Sequence, residues 1–109
     1  MRTIYHIVPR PSWRDTADPY RAESLAAEGF VHCANADQVA AVANRYFADQ
    51  AELLVLVIAA DRLTSPLRDE DPGVGQRFPH IYGPINRDAI VAVLPLERGA
   101  DGRWAFSER

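Results

Sequence analysis

Three histidines stand in short apolar, aromatic segments: Ile4-Tyr5-His6-Ile7, Phe30-Val31-His32-Cys33 and Pro79-His80-Ile81-Tyr82. An imidazole can take or give a proton near neutral pH, ligate a metal or donate to a substrate oxygen, so three of them on neighbouring strands could serve one pocket. Three imidazoles and a water would also make a catalytic zinc site, although the histidines lack the short two-His helical spacing that marks such motifs. Cys33 follows His32 directly, and adjacent strand residues point to opposite faces, so a Cys-His pair is disfavoured and Cys33 reads as a buried thiol. Glu70 stands in the charged run Arg68-Asp69-Glu70-Asp71, just before the loop that leads to His80, which makes it the acid of most interest. Tyr5, Tyr82, Phe30 and Phe78 could wall a planar ring, and Arg2, Arg77 and Arg87 could fork onto phosphate or carboxylate.

Composition narrows the chemistry further. All 12 basic residues are Arg, which removes Schiff-base lysine chemistry and a phosphate-loop lysine. A formal net charge of −3 argues against general nucleic-acid binding through phosphate neutralisation. One cysteine allows no intrachain disulfide and suits a reducing, cytoplasmic setting. The longest apolar run, Leu53 to Ala60, is far below the ~20 residues of a membrane span. At 109 residues the chain has the length of one domain, residues 1–109.

The elements that must carry these residues follow from periodicity. Thr3 to Val8 reads as a strand ended by Pro9, with Ile4, His6 and Val8 on one face and Tyr5 and Ile7 on the other. Ser12 is placed to cap a short helix to about Ala17, and Ala22 to Glu28 reads as a helix stopped by Gly29. Phe30 to Cys33 is a second strand. Ala36, Val39, Ala40, Ala43, Tyr46 and Phe47 recur at three and four, predicting a helix from about Ala36 to Asp49 capped by Asn35. Leu53 to Ile58, apolar throughout, is predicted to be a central strand covered on both faces. Asp61 to Leu63 is a turn, Leu67 to Glu70 a short strand, and Asp71 to Gly75 flexible punctuation beside the site. Phe78 to Pro84 reads as too proline-interrupted for an inner strand, whereas Ala89 to Leu96 is a strand and Trp104 to Phe106 an edge strand. This order favours an α+β domain with a mainly antiparallel sheet and two or three helices over a doubly wound parallel fold.

The segments Ile4-Tyr5-His6-Ile7, Ser24-Leu25, Glu28-Gly29-Phe30-Val31-His32-Cys33, Ala43-Asn44-Arg45 and Phe78-Pro79-His80-Ile81-Tyr82-Gly83-Pro84-Ile85 together resemble domain of unknown function 952, a bacterial and plant family, over nearly the whole chain. That family looks like a distant relative of the ADP-ribosyltransferase fold. The resemblance implies a split antiparallel sheet around a cleft for NAD or another ADP-ribose-like nucleotide, and an ADP-ribosyl or phosphoryl transfer. It gives His6 the bond to a ribose hydroxyl and sets His32 and Tyr82 beside nicotinamide. His80 then stands in the region of the late catalytic residue, with Glu70 as its substitute, and Tyr5 and Arg77 complete the cofactor-binding set. A noncatalytic module that captures the same ligand, and a three-His metal-dependent hydrolase, remain as alternatives.

Overall fold

A computed structural model describes residues 1–107. Thr3–Pro9 forms β1, Leu53–Ala59 forms β3 and Ile90–Pro95 forms β6, joined as an antiparallel sheet in the order β1-β3-β6. Val31–His32 is β2, Leu67–Glu70 is β4 and Phe78–Ile81 is β5, which form a second antiparallel sheet in the order β2-β5-β4. Two helices, α1 over Glu23–Glu28 and α2 over Val39–Tyr46, precede β2 and β3, and a small ribbon pairs β7, Glu97–Arg98, with β8, Trp104–Ala105. The order is that of an α+β protein built on antiparallel sheets, as the element pattern predicts.

Alternation in β1 divides the core in two. Ile4 and Val8, with Leu54, Leu56 and Ile58 of β3, join Val31 and Ile81 of the second sheet and Cys33 just beyond β2 in one cluster. Tyr5 and Ile7, with Leu53 and Val55, pack beneath Val39 and Ala43 of α2 and against Trp104. The apolar run of β3 is therefore covered on both faces, and β3 is the middle strand of its sheet. His6 shares the inter-sheet face with Ile4 and Val8 and is only 7% exposed. The two sheets touch along β1 through one bridge, in which Tyr5 and Ala34 exchange main-chain bonds of 2.9 and 2.7 Å.

Several boundaries differ from the sequence expectation for definite reasons. No helix runs from Ser12 to Ala17: the chain makes a 3-10 turn over Arg10–Ser12, then bends while Trp13 packs onto the inter-sheet core. Ser12 makes no cap bond there. The long helix is shorter than its apolar stripe. Asn35 and Gln38 close a capping box over a 3-10 turn, and the helix ends at Tyr46 because Arg98 takes the carbonyls of Ala48 and Gln50 at 2.9 Å and draws the chain towards β7. The Asp71 loop is organised, since the Asp71 carboxylate accepts the amides of Gly73 and Val74, each at 2.8 Å, and of Gly75.

The largest correction concerns β5, which is the inner strand of its sheet in spite of Pro79. Pro79 lies opposite Cys33, one residue beyond the pairing of β2; its carbonyl accepts the Cys33 amide at 3.0 Å, and only the reciprocal bond is missing. A short neighbour lets a proline sit inside a sheet at the cost of one ladder bond.

Candidate functional site

Register decides which candidates meet. His32 of β2 lies directly opposite His80 of β5, and Arg68 of β4 opposite His80 on the other side, so all three share the face that Val31, Ile81 and Leu67 turn away from. Glu70 is two residues from Arg68 on the same face. Its carboxylate accepts His80 Nδ1–H at 3.0 Å and the Tyr82 hydroxyl, whose bond goes to the same oxygen, Oε1. These bonds, the Tyr82 one foremost, hold Glu70 below the usual carboxylate range, and the same contact pushes the Tyr82 phenol up.

Phe30 closes this group from above. Its ring stacks on His80 with centroids 4.2 Å apart, meets His32 edge-on at 4.8 Å and leans on Tyr82 at 5.4 Å. His80 is consequently 3% exposed, while half of the His32 side chain is open to solvent. His32 Nε2 donates to Glu28 at 2.5 Å, and the His32 and His80 rings stand 5.5 Å apart. The Arg68 guanidinium lies 5.0 Å above the Tyr82 ring.

His6 stands on the other side of β2. Its Nδ1 is 2.6 Å from the His32 carbonyl, an acceptor only, so Nδ1 carries the proton and Nε2 accepts from the Tyr20 hydroxyl at 2.9 Å. Burial, against the helpful carbonyl bond, pushes His6 from 6.5 down to about 4, and burial pushes Tyr20 up to about 12. Both His6 nitrogens are occupied, so a ligand hydroxyl reaches His6 only by displacing Tyr20. Cys33, buried beside them, is pushed well above the ordinary thiol range by desolvation and is no nucleophile as it stands.

An open groove of about 270 Å³ follows the free edge of β1, between Ser12, Tyr20 and Ser24 on one side and Ala34, Val42 and Phe47 on the other, with His6 and His32 in its wall. Along this edge the main chain alternates. Arg2 and Arg10 bond towards β3 while Tyr5 bonds outward to Ala34, so Ile7, two residues on, also presents its N–H and C=O outward. No group among the described residues takes them. The sequence candidates therefore divide: His32, His80, Glu70 and Tyr82 converge on one sheet face, and His6 reaches them through the His32 carbonyl.

Tyr5 also lines the groove, with its ring packed edge-on against Phe106 at 5.1 Å beneath α2. Other candidates lie apart: Arg77 is exposed with its carbonyl bound to Gln38 at 2.8 Å. Arg2 is taken by Asp69 at 2.6 Å, and Arg87 lies 4.6 Å over Trp13. Among the described residues no three His, Cys, Asp or Glu side chains stand together as metal ligands, which leaves the three-His hydrolase without a site. Tyr20 and Glu28 escape sequence reasoning. The one signal for Glu28 is its spacing of four from His32, and Tyr20 carries none, because a bridge to Ile85 brings it under β1.

Residues 7–93 match the family model described as "Protein of unknown function (DUF952)". The chain belongs to the DUF952 family. The crystal structure of protein CC0527 from Caulobacter crescentus is 32% identical, with a TM-score of 0.77 and coverage of 95% of this chain and 94% of that one. Its solution structure gives 30% identity and a TM-score of 0.78, over 94% of this chain and 91% of that one. No curated protein matches the chain. As a DUF952 protein it carries the α+β fold with antiparallel sheets, and no helix among its described residues is long and apolar enough to cross a membrane.

Proposed function

We propose that this DUF952 protein binds NAD, or a related ADP-ribose nucleotide, in the groove along β1, within a fold distantly related to the ADP-ribosyltransferases. The observation that carries the reading is the unpaired main chain of Ile7, a residue that lines the groove, with one donor and one acceptor directed outward from the edge of β1. A primary carboxamide such as that of nicotinamide complements this pair through its own NH₂ and C=O, as an added strand would. The Tyr20 hydroxyl, which donates to His6, still accepts and is available to a ribose hydroxyl. The groove's volume, near the lower limit of about 300 Å³ for small-ligand sites, suits the nicotinamide riboside end, with the rest of the dinucleotide along the surface.

The test is thermal unfolding with and without millimolar NAD. At 100 times the dissociation constant a ligand adds about 2.7 kcal/mol, which in a chain of this size raises Tm by on the order of 10 °C. Ser24→Trp, which places an indole in the groove from α1, is expected to abolish the shift while the apo protein still unfolds cooperatively. An unchanged Tm with NAD, nicotinamide and ADP-ribose alike refutes the reading.

A further inference from the structure

The free edges of the two sheets are protected to different degrees. β1 is bridged by Ala34 and lines the groove. β4 closes the second sheet with the charged run Arg68-Asp69-Glu70, and Asp69 is held by Arg2 at 2.6 Å. Charges on an edge strand discourage a further strand from adding to it. β6, the far edge of the first sheet, has no such guard: Ile90–Pro95 carries no charge and pairs with β3 alone. Val91 and Val93 are 50% and 38% exposed, and no other strand among the described residues exposes two large apolar side chains. The main chain of this edge is open as well. The Leu96 amide bonds the Leu53 carbonyl at 2.9 Å, so in this antiparallel pair Leu94 and Ala92 also bond inward, and Val93 turns its N–H and C=O outward with the Pro95 carbonyl beside them. No group among the described residues takes them.

We propose that β6 is the surface through which two copies of this chain associate, edge to edge and antiparallel, into one six-stranded sheet with β6 strands at its centre. A second copy is the occupant because the edge complements itself about a twofold axis. With Val93 at the axis, its N–H and C=O meet the C=O and N–H of the same residue in the other copy, and each Pro95 carbonyl faces the Val91 end of the opposite strand. The Val93 side chain, on the face that Leu56 occupies, then meets its own copy. Charge favours the same arrangement. Asp88 precedes β6 and Arg98 follows it; both are exposed, and neither has an ion-pair partner among the described residues. Antiparallel pairing brings Asp88 of each copy near Arg98 of the other. β1 is the opposite edge of the sheet, so both grooves stay open in the pair, and the inference does not depend on the nucleotide reading.

An interface made by one strand edge is small, so association is expected to depend on concentration. Sedimentation velocity of the whole chain from about 1 μM to about 1 mM is expected to show a mass rising towards twice the 12.1 kDa of one copy. Val93→Lys, which sets a charge on the edge at an exposed position, is expected to remain monomeric throughout and to unfold as the dilute parent does. Amide exchange of the parent tests the geometry without a substitution. The Val93 amide is expected to exchange at least about tenfold more slowly at the upper concentration than at the lower, while that of Ile7, on the opposite edge, is unchanged. A parent that stays monomeric over the whole range overturns the inference. So does a dimer that persists in Val93→Lys, or one that leaves the Val93 amide exchanging freely, since either joins the copies through another surface.

Discussion

Burial of His6 makes stability depend on pH in a window set by one imidazole. The unfolded ring binds its proton near 6.5 and the folded ring only near 4, so the unfolded state gains protons first as pH falls. Stability from this group is whole above about pH 7, declines between the two values and levels off below 4. A displacement from 6.5 to about 4 corresponds to about 3 kcal/mol in all, of which about 2 kcal/mol is gone by pH 5. The assay is urea unfolding of the parent and of His6→Gln between pH 7.5 and 5. Glutamine preserves an amide donor for the His32 carbonyl and an acceptor for Tyr20 but does not titrate. Its own stability at pH 7.5 is expected to be lower by about 1 kcal/mol, while the parent loses about 2 kcal/mol more than the variant on acidification to pH 5. The carboxylates held low by bonds, Asp69 by Arg2 and Asp71 by the Gly73 and Val74 amides, act below this range and are common to both proteins. Parallel curves for the two proteins would refute the argument, because His6 would then titrate alike folded and unfolded.

Three further outcomes follow from other contacts. Gly83→Ala is expected to lose about 2–4 kcal/mol by chemical denaturation, because φ is +155° and a Cβ would stand 2.9 Å from the Ser65 Cβ. Asn44 binds both the amide and the carbonyl of Trp104, at 2.8 and 2.9 Å; Asn44→Ala is expected to lose about 2 kcal/mol and to speed amide exchange across β7 and β8. Cys33 is expected to react with iodoacetamide at least about 100-fold more slowly in the native protein than in urea, and rapid native alkylation would contradict its burial beside His6.

What could be read from the sequence was the face each residue occupies. In β1 the alternation of Ile4, His6 and Val8 with Tyr5 and Ile7 is the division between the two core clusters. Gly29 is the helix stop it suggests, with φ at 89°, and Asn35 closes its capping box with Gln38. These features are local, because a period or a cap needs no knowledge of what lies opposite. The failures share the reverse property. Whether Pro79 is tolerated depends on where β2 stops, and the end of α2 depends on Arg98, 50 residues beyond the Ala48 carbonyl it takes.

The site belongs to the second kind, and its dependence on register has a mechanistic consequence. Glu70 meets His80 because β4 and β5 pair with Glu70 opposite Phe78 and Arg68 opposite His80, a register carried across the Asp71 loop. A slip of one residue would turn the whole β5 pattern over, sending His80 into the core and Ile81 to the surface. Burying Ile81 and Val31 therefore enforces the same register that places the carboxylate on the imidazole. The Asp71 carboxylate, by gathering the Gly73 and Val74 amides, fixes the path between the two strands and thus the length available for that register. Packing on one face of the sheet and the Glu70-His80 contact on the other are consequences of one pairing, so substitutions of the Ile81 or Asp71 side chain act on the His80 ring through the register.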